Sequence, residues 1–357
     1  MTREPLMPAI GHASSACALG IGSLFARRPP VSKVRGWGPG LEFNIRKRKR
    51  ASGARKIFAL EDLKFLLQLP ALAIVSRLVP EREWRAICLS MARLGGASFA
   101  NRDSRVLQTF RSFGLAGNDD LRGVRATRHE HHIQILRERL GGWNPAIALQ
   151  GIEHLEAAQD AGHGAVLWIA HFSFNALAAK MAFARAGFEV FHVSRPEHGF
   201  TKSRFGIRFL NPIRIGAELR YAAGRVVIDR ADPAASMNEA RRLLRANKFV
   251  SITAGAWEGE VLVTARIGES GMEVASGAPR LARIAGAPLL PVFVGRDDST
   301  GQLHVVVERP IDLSRYRDKA EMIQSAAQEF ADRHLPYLQS WPHQWRDWEK
   351  LTAFTSR

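Results

Sequence analysis

Cysteine is nearly absent from this chain, with Cys17 and Cys88 the two cysteines in 357 residues. Two such distant thiols make neither a disulfide framework nor a metal-ligand spacing. They fit a reducing compartment, or a fold that needs no cross-links. Acids are also scarce, 34 Asp and Glu against 51 Lys and Arg, for a net charge of +17. A membrane-spanning run is missing too. The strongly apolar segment Leu63–Val79 is free of charge only over the twelve residues from Phe65 to Ser76, too few to cross about 30 Å of hydrocarbon as a helix. There is no internal repeat and no phosphate-loop lysine, and His129-Glu-His-His132 departs from the zinc pattern H-E-x-x-H because its fifth position is Ile133.

What is present is enough apolar residue, 46%, to build the core of one large α/β domain with additions. The positive charge is concentrated at the start. Residues 1–57 hold twelve Lys and Arg against two acids, so +10 of the +17 lies there. This stretch carries Arg27-Arg-Pro-Pro30, Gly36-Trp-Gly-Pro-Gly40 and Arg46-Lys-Arg-Lys-Arg50 without periodicity, which predicts a disordered basic tail over 1–56. Its apolar part is broken by Gly and makes a poor secretory signal. An anionic lipid surface, nucleic acid or plain solvent could each face such a tail. No interleaved aromatics or nucleic-acid motif accompany it, so no nucleic-acid partner is expected.

From 57 to about 144 the pattern is helical. Leu63–Val79 reads either as an interfacial helix on an anionic membrane or as a helix docked on the protein's own core. Further helices are predicted over Glu81–Leu94 and Leu121–Leu140, and His129 and His132 share a face with Ile133 and Leu136 as partly buried structural residues. From Pro145 onward strands and helices alternate. Strands are expected at Ala165–Ala170, Phe188–Ser194, Phe249–Ala254, Val261–Arg266, Leu289–Gly295 and Leu303–Glu308. Helices are expected at Gly151–Gln159, Leu177–Ala186, Asp232–Ala246 and Ala278–Ile284. The fold class is therefore α/β, a central mixed sheet flanked by helices, with domains at 1–56, 57–144 and 145–357.

The chemistry centres on the end of the first of these strands, where His171 follows Ala165-Val-Leu-Trp-Ile-Ala170 just before a helix. In open α/β sheets ligands bind at the carboxyl ends of strands. His171 is either a core histidine closing the strand or a general base kept neutral by the positive helix end. Between Arg195 and Arg230 eight Lys and Arg stand against three acids. Arg195, Arg204, Arg208 and Arg230 are there either to read a phosphate or as a solvated face. Ser276 and Gly277 open a helix after a Gly- and Ser-rich stretch, where an anion could bind.

Several segments together resemble the lysophospholipid acyltransferase superfamily, and within it the lipid A late (lauroyl/myristoyl) acyltransferases. They are Gly151-Ile-Glu-His-Leu-Glu-Ala-Ala158, His171-Phe172 with Ala178-Ala-Lys-Met-Ala182, Val227-Ile-Asp-Arg230, Met237–Leu244, Ser276–Pro291 and the closing Trp341-Pro-His-Gln-Trp-Arg-Asp-Trp348. The resemblance implies a membrane-associated enzyme moving a fatty acyl chain from acyl carrier protein or a CoA thioester to the hydroxyl of a lipid acceptor. It implies no cofactor beyond that donor substrate, no metal, and a place at the cytoplasmic face of the inner membrane. The family's base is a histidine with an acid five residues on. His171 matches the base, but the acid position is Ala176. Asn175, or Glu258 reaching across, is the expected support for the ring. The alternative is a catalytically impaired member that binds lipid or acyl chains.

Overall fold

The computed structural model describes residues 45–47, 56–94, 100–115, 118–255, 259 and 261–353. All of them fall in one compact unit, Phe43–Arg357. Most of the expected basic tail lies outside the described residues. Ile45–Lys47, inside it, forms a strand, β1, paired antiparallel with Val261–Val263.

Four helices follow: α1 (Leu60–Leu78), α2 (Glu81–Leu94), α3 (Ala100–Ser112) and α4 (Asn118–Gly141). The α/β part then runs β2 (Ile147–Gln150), α5 (Ile152–Asp160), β3 (Val166–Ile169), α6 (Ala178–Arg185), β4 (Val190–Ser194), α7 (Asn211–Glu218), β5 (Gly224–Val227), α8 (Pro233–Arg245) and β6 (Phe249–Thr253). It closes with β7 (Val261–Ile267), β8 (Ser270–Ala275), α9 (Gly277–Ala285), β9 (Leu289–Arg296), β10 (Leu303–Val307), α10 (Lys319–Ser340) and β11 (Thr352–Ala353).

The main sheet has seven strands in the order β2-β10-β9-β3-β6-β4-β5. Strands β9, β3, β6, β4 and β5 run parallel, while β10 is antiparallel to β9 and parallel to β2, so the sheet is mixed. β3 lies between β6 and β9, and all four of its residues are buried. That burial on both faces explains its unbroken apolar sequence. Val166 and Trp168 face one core with Leu281 and Phe330 of α9 and α10, and Leu167 and Ile169 face a second with Ile133 of α4 and Met181 of α6.

One expectation fails. The strand at Val261 does not join this sheet but pairs with β8 in a separate four-stranded antiparallel sheet, β1-β7-β8-β11. The Gly- and Ser-rich segment before α9, for which no strand was expected, contains β8. Helix α3 falls in the region read as helical without its own bounds, while helices α7 and α10 and strands β2 and β5 were not foreseen. α7 and β5 lie in the basic stretch whose many arginines mask its periodicity.

The turn into β3 depends on backbone that only glycine adopts easily. Gly164 has φ +53°, and a Cβ there would collide with the carbonyl of Lys248. The neighbouring Asn247, itself at φ 59°, accepts from the Gly164 N–H at 2.9 Å and donates to the Gln159 carbonyl at 2.9 Å. Gly164→Ala is expected to cost about 2 kcal/mol, read as a lowered urea midpoint, and an unchanged midpoint would contradict the account.

Candidate active site

β3 ends at Ile169, and the chain is held as it leaves the sheet. Ala170 donates to Val292 O at 2.8 Å, Ala254 donates to Ile169 O at 2.7 Å, and Phe172 donates back to Ala170 O at 2.9 Å. A 3₁₀ turn, Ser173–Ala176, separates His171 from α6, so the helix starts seven residues beyond the histidine rather than beside it. Lys180, buried on α6, donates to Ala176 O at 3.0 Å and braces the back of this turn.

The missing carboxylate comes from the other end of the chain. His171 Nδ1 lies 3.0 Å from Asp347 Oδ2. The second Asp347 oxygen, Oδ1, is 2.7 Å from Lys350 Nζ. Nδ1–H donating to Asp347 fixes the tautomer and puts the basic lone pair on Nε2.

Asp347 is placed by a closing segment locked onto the sheet. After α10, Trp345 bridges Phe172 antiparallel, and Arg346 N–H donates to His171 O at 3.1 Å. Gln344 accepts from Arg296 N–H and donates to Arg296 O, both at 2.7 Å. His343 meets Asp120 of α4 at 2.7 Å, and Trp348 donates to Pro342 O at 2.8 Å. Trp345 and Trp348 pack edge-to-face at 5.1 Å. The pairing hydrogen bonds and the two buried indoles leave Asp347 little freedom to leave the ring.

Burial pushes the His171 pKa down, the Asp347 charge and hydrogen bond push it back up, and Arg346 and Lys350 add to the fall, leaving it at about 4. Burial, not the helix end invoked from the sequence, is thus the main reason that the ring is neutral at pH 7. Burial also opposes the Asp347 charge, but the interaction and hydrogen bond with His171 and the Lys350 ammonium outweigh it and hold the carboxyl well below the usual carboxylate range. Arg346, crowded by Arg214 and Arg128 and out of solvent, falls to about 9. A pocket of about 20 Å³ opens at the ring, lined by His171, Asp347, Lys350, Glu273, Met272, Phe330, His334 and Trp345 among others.

The other expected site residues scatter. Asn175 donates to Ala170 O at 3.1 Å and so fixes the strand end, whereas the carboxylate on the imidazole is Asp347. Glu258 lies outside the described residues. Arg195 is close enough to Lys350 to depress its pKa. Arg230 forks onto Glu197 at 2.5 and 2.8 Å. Arg204 and Arg208 are exposed near the start of α1, where Arg204 N–H donates to Lys56 O. Ser276 is buried and caps α9 without a side-chain hydrogen bond, followed by Gly277. Of the six expected to bind substrate, Arg195 is the one tied to the dyad's neighbourhood, through Lys350. None of the six lines the pocket, so the single phosphate-reading surface anticipated from the sequence does not assemble there. Much of the basic stretch instead holds the fold together, as where Arg214 (2.7 Å) and Lys180 (3.0 Å) both pair with buried Glu218.

Among the described residues, His192, His198 and Glu218 come near enough to share a cation. Glu218, however, already accepts from Lys180, Arg214 and His198. Two fixed positive charges make this a poor place for a divalent ion, and the cluster reads as a buried ion-pair network.

A strand-end imidazole, neutral and oriented by a carboxylate, at the edge of a mixed α/β sheet, is equipment for general-base chemistry on a hydroxyl. Residues 91–345 match the bacterial lipid A biosynthesis acyltransferase family, and the chain belongs to that family. No curated protein matches it. Among solved structures, the 1-acyl-sn-glycerophosphate acyltransferase PlsC of Thermotoga maritima aligns at 13% identity over 79% of this chain and 98% of that one, with a TM-score of 0.38, too slight a likeness to add to the site. Asp347 was missed from the sequence although it stands inside the quoted closing motif. The available signal was a lone acid inside that Trp-rich closing segment.

The buried histidines give a stability prediction. His171 is lowered to about 4, and His132 and His334 to about 3, each with burial the first cause. Unfolded, each titrates near 6.5. Between those values the unfolded chain binds more protons, so stability is full above about pH 6.5 and is lost as pH falls through about 4 and 3. The urea midpoint should decline steadily from pH 6.5 to 4, and a flat profile there would refute the burial of these rings.

Proposed function

We propose that the protein is an active acyltransferase that moves a fatty acyl chain from an acyl carrier protein or CoA thioester to a hydroxyl of a lipid acceptor, at the cytoplasmic face of the inner membrane. The observation that carries this reading is the 3.0 Å contact between His171 Nδ1 and Asp347 Oδ2. It supplies the orienting carboxylate whose absence at Ala176 favoured a non-catalytic binder. His171 Nε2 takes the proton as the acceptor oxygen bonds to the thioester carbon. Asp347 stabilises the imidazolium that forms. As the C–S bond breaks, the imidazolium returns that proton to the departing thiolate.

The two faces of α1 support membrane association. Phe65 and Leu72 are buried, Phe65 stacking on Phe200 at 4.3 Å. Leu60, Leu63, Leu67, Ile74 and Leu78 form an exposed stripe on the other side, Leu67 at 73%, with Phe58 and Phe209 near its start. Exposed Lys56, Lys64, Arg204 and Arg208 lie around it. Apolar residues rimmed by cations suit an anionic bilayer surface. No described helix is long and apolar enough to cross a membrane.

Acyl transfer from a thioester donor to a lipid acceptor, measured on the purified protein, should vanish in His171→Ala. It should fall by about 10⁴ in Asp347→Asn, by analogy with the loss of an orienting carboxylate in a catalytic triad. Full turnover in either variant would sink the dyad. On the membrane side, the double variant Leu67→Asp, Ile74→Asp should lose co-sedimentation with vesicles containing an anionic phospholipid yet keep its turnover on a detergent-dispersed acceptor. Undiminished vesicle binding would rule out this face.

A further inference from the structure

The pocket beside the dyad holds a second histidine that neither the fold nor the reaction above has used. His334 lies on α10 and is 1% exposed. Both its ring nitrogens are buried and lack a hydrogen-bond partner. Around it stand Phe172 (5.4 Å, edge-on), Phe293 (5.6 Å, stacked), Phe330 (5.8 Å) and Trp345 (5.5 Å, edge-on). An aromatic cage of this kind would suit phenylalanine better. A buried polar group left unpaired costs about 1–3 kcal/mol, so histidine weakens the folded state here with no local return.

Its place explains the residue. His334 shares the wall of the pocket with His171 and Asp347, in a space of about 20 Å³, room for roughly one oxygen-sized group. The two Asp347 oxygens are already engaged, one by His171 and the other by Lys350.

Building on the acyl-transfer reading, we propose that His334 is a second catalytic histidine, donating its ring N–H to the carbonyl oxygen of the thioester while His171 serves as the base. As the acceptor oxygen bonds to the carbonyl carbon, the C=O π pair moves onto the carbonyl oxygen, and the His334 N–H stabilises that oxyanion without giving up its proton. The C=O bond re-forms as the C–S bond breaks, and the thiolate takes its proton from His171. Burial, with its pKa near 3, keeps His334 uncharged at neutral pH, so it offers one N–H without competing for the Asp347 carboxylate. Donors fixed in a dry site before reaction are worth about 10²–10³ in kcat.

The test compares His334→Phe and His334→Gln with wild type in the full chain, using an acyl-CoA donor and a lipid acceptor. H334F should melt at or above the wild-type temperature, because it relieves an unpaired polar group. Its kcat should nonetheless fall about 100-fold or more, with the donor KM within about threefold. H334Q, which keeps an N–H donor, should recover part of kcat. A His334 without a catalytic role predicts kcat unchanged in H334F whatever the melting temperature, and that result overturns the proposal, as does an H334Q as slow as H334F. Should H334F not fold, His334→Met removes the donor with a more adaptable side chain and is judged by the same kcat criterion. Wild-type turnover that disappears in H171A but persists in H334F refutes this inference alone. No wild-type turnover with either thioester class refutes the acyl-transfer reading beneath it.

Discussion

One contact, His171 to Asp347, ties together positions 176 residues apart, and much of the structure around it serves to hold its two ends. The histidine end is rigid because β3 is interior to the sheet and its terminal groups are tied to β6 and β9. The aspartate end sits at the start of a short 3₁₀ turn, Trp348–Lys350, and in no strand or α-helix. It depends on the bridge from Trp345 to Phe172, on Gln344 reading the Arg296 backbone in both directions, and on Trp348 wedged beside Phe110 at 4.7 Å. Backbone pairing sets the register of the closing segment, and the indoles keep water from competing for the carboxylate. The hydrogen bond itself adds little net stability once desolvation of the carboxylate is counted. What it supplies is a defined tautomer.

Around that contact stand histidines kept neutral by burial, with His131 and His132 of α4 beside Arg214 and Arg346, and His334 in its aromatic cage. Charged groups meanwhile are gathered in networks of their own, such as Glu218 with Lys180 and Arg214, or Glu130 with Arg296. This separation is physically coherent. His132 and His334 are uncharged at neutral pH, while Glu218 is shared by two fixed cations and Glu130 by Arg296.

Helix α1 joins two readings that looked like alternatives. Its low polarity all round follows from having two apolar environments, α4 and Phe200 on one face and an uncovered face on the other. A surface helix of a globular domain normally carries polar residues on its outer face. Here that face is Leu and Ile with lysines and arginines around it, so the reading as a helix docked on the core accounts for the buried face alone.

The primary sequence by itself determined the α/β class, most strands of the sheet, and His171 as its focus. Long apolar runs and Gly-terminated helices are local signals, and the family's motifs lie in short contiguous blocks. It also determined that Ala176 carries no carboxylate. Only the tertiary structure decided what replaces it, because pairing a strand end with a segment 176 residues away leaves no trace in periodicity or spacing. For the same reason the second sheet took β7 away from the first. The arginines after β4 paired with acids distant in sequence rather than forming one surface, and His334 on α10 came to share a pocket with His171. Each of these depends on which side chains long-range packing brings within about 3 to 6 Å, a property of the folded chain and not of any stretch of it.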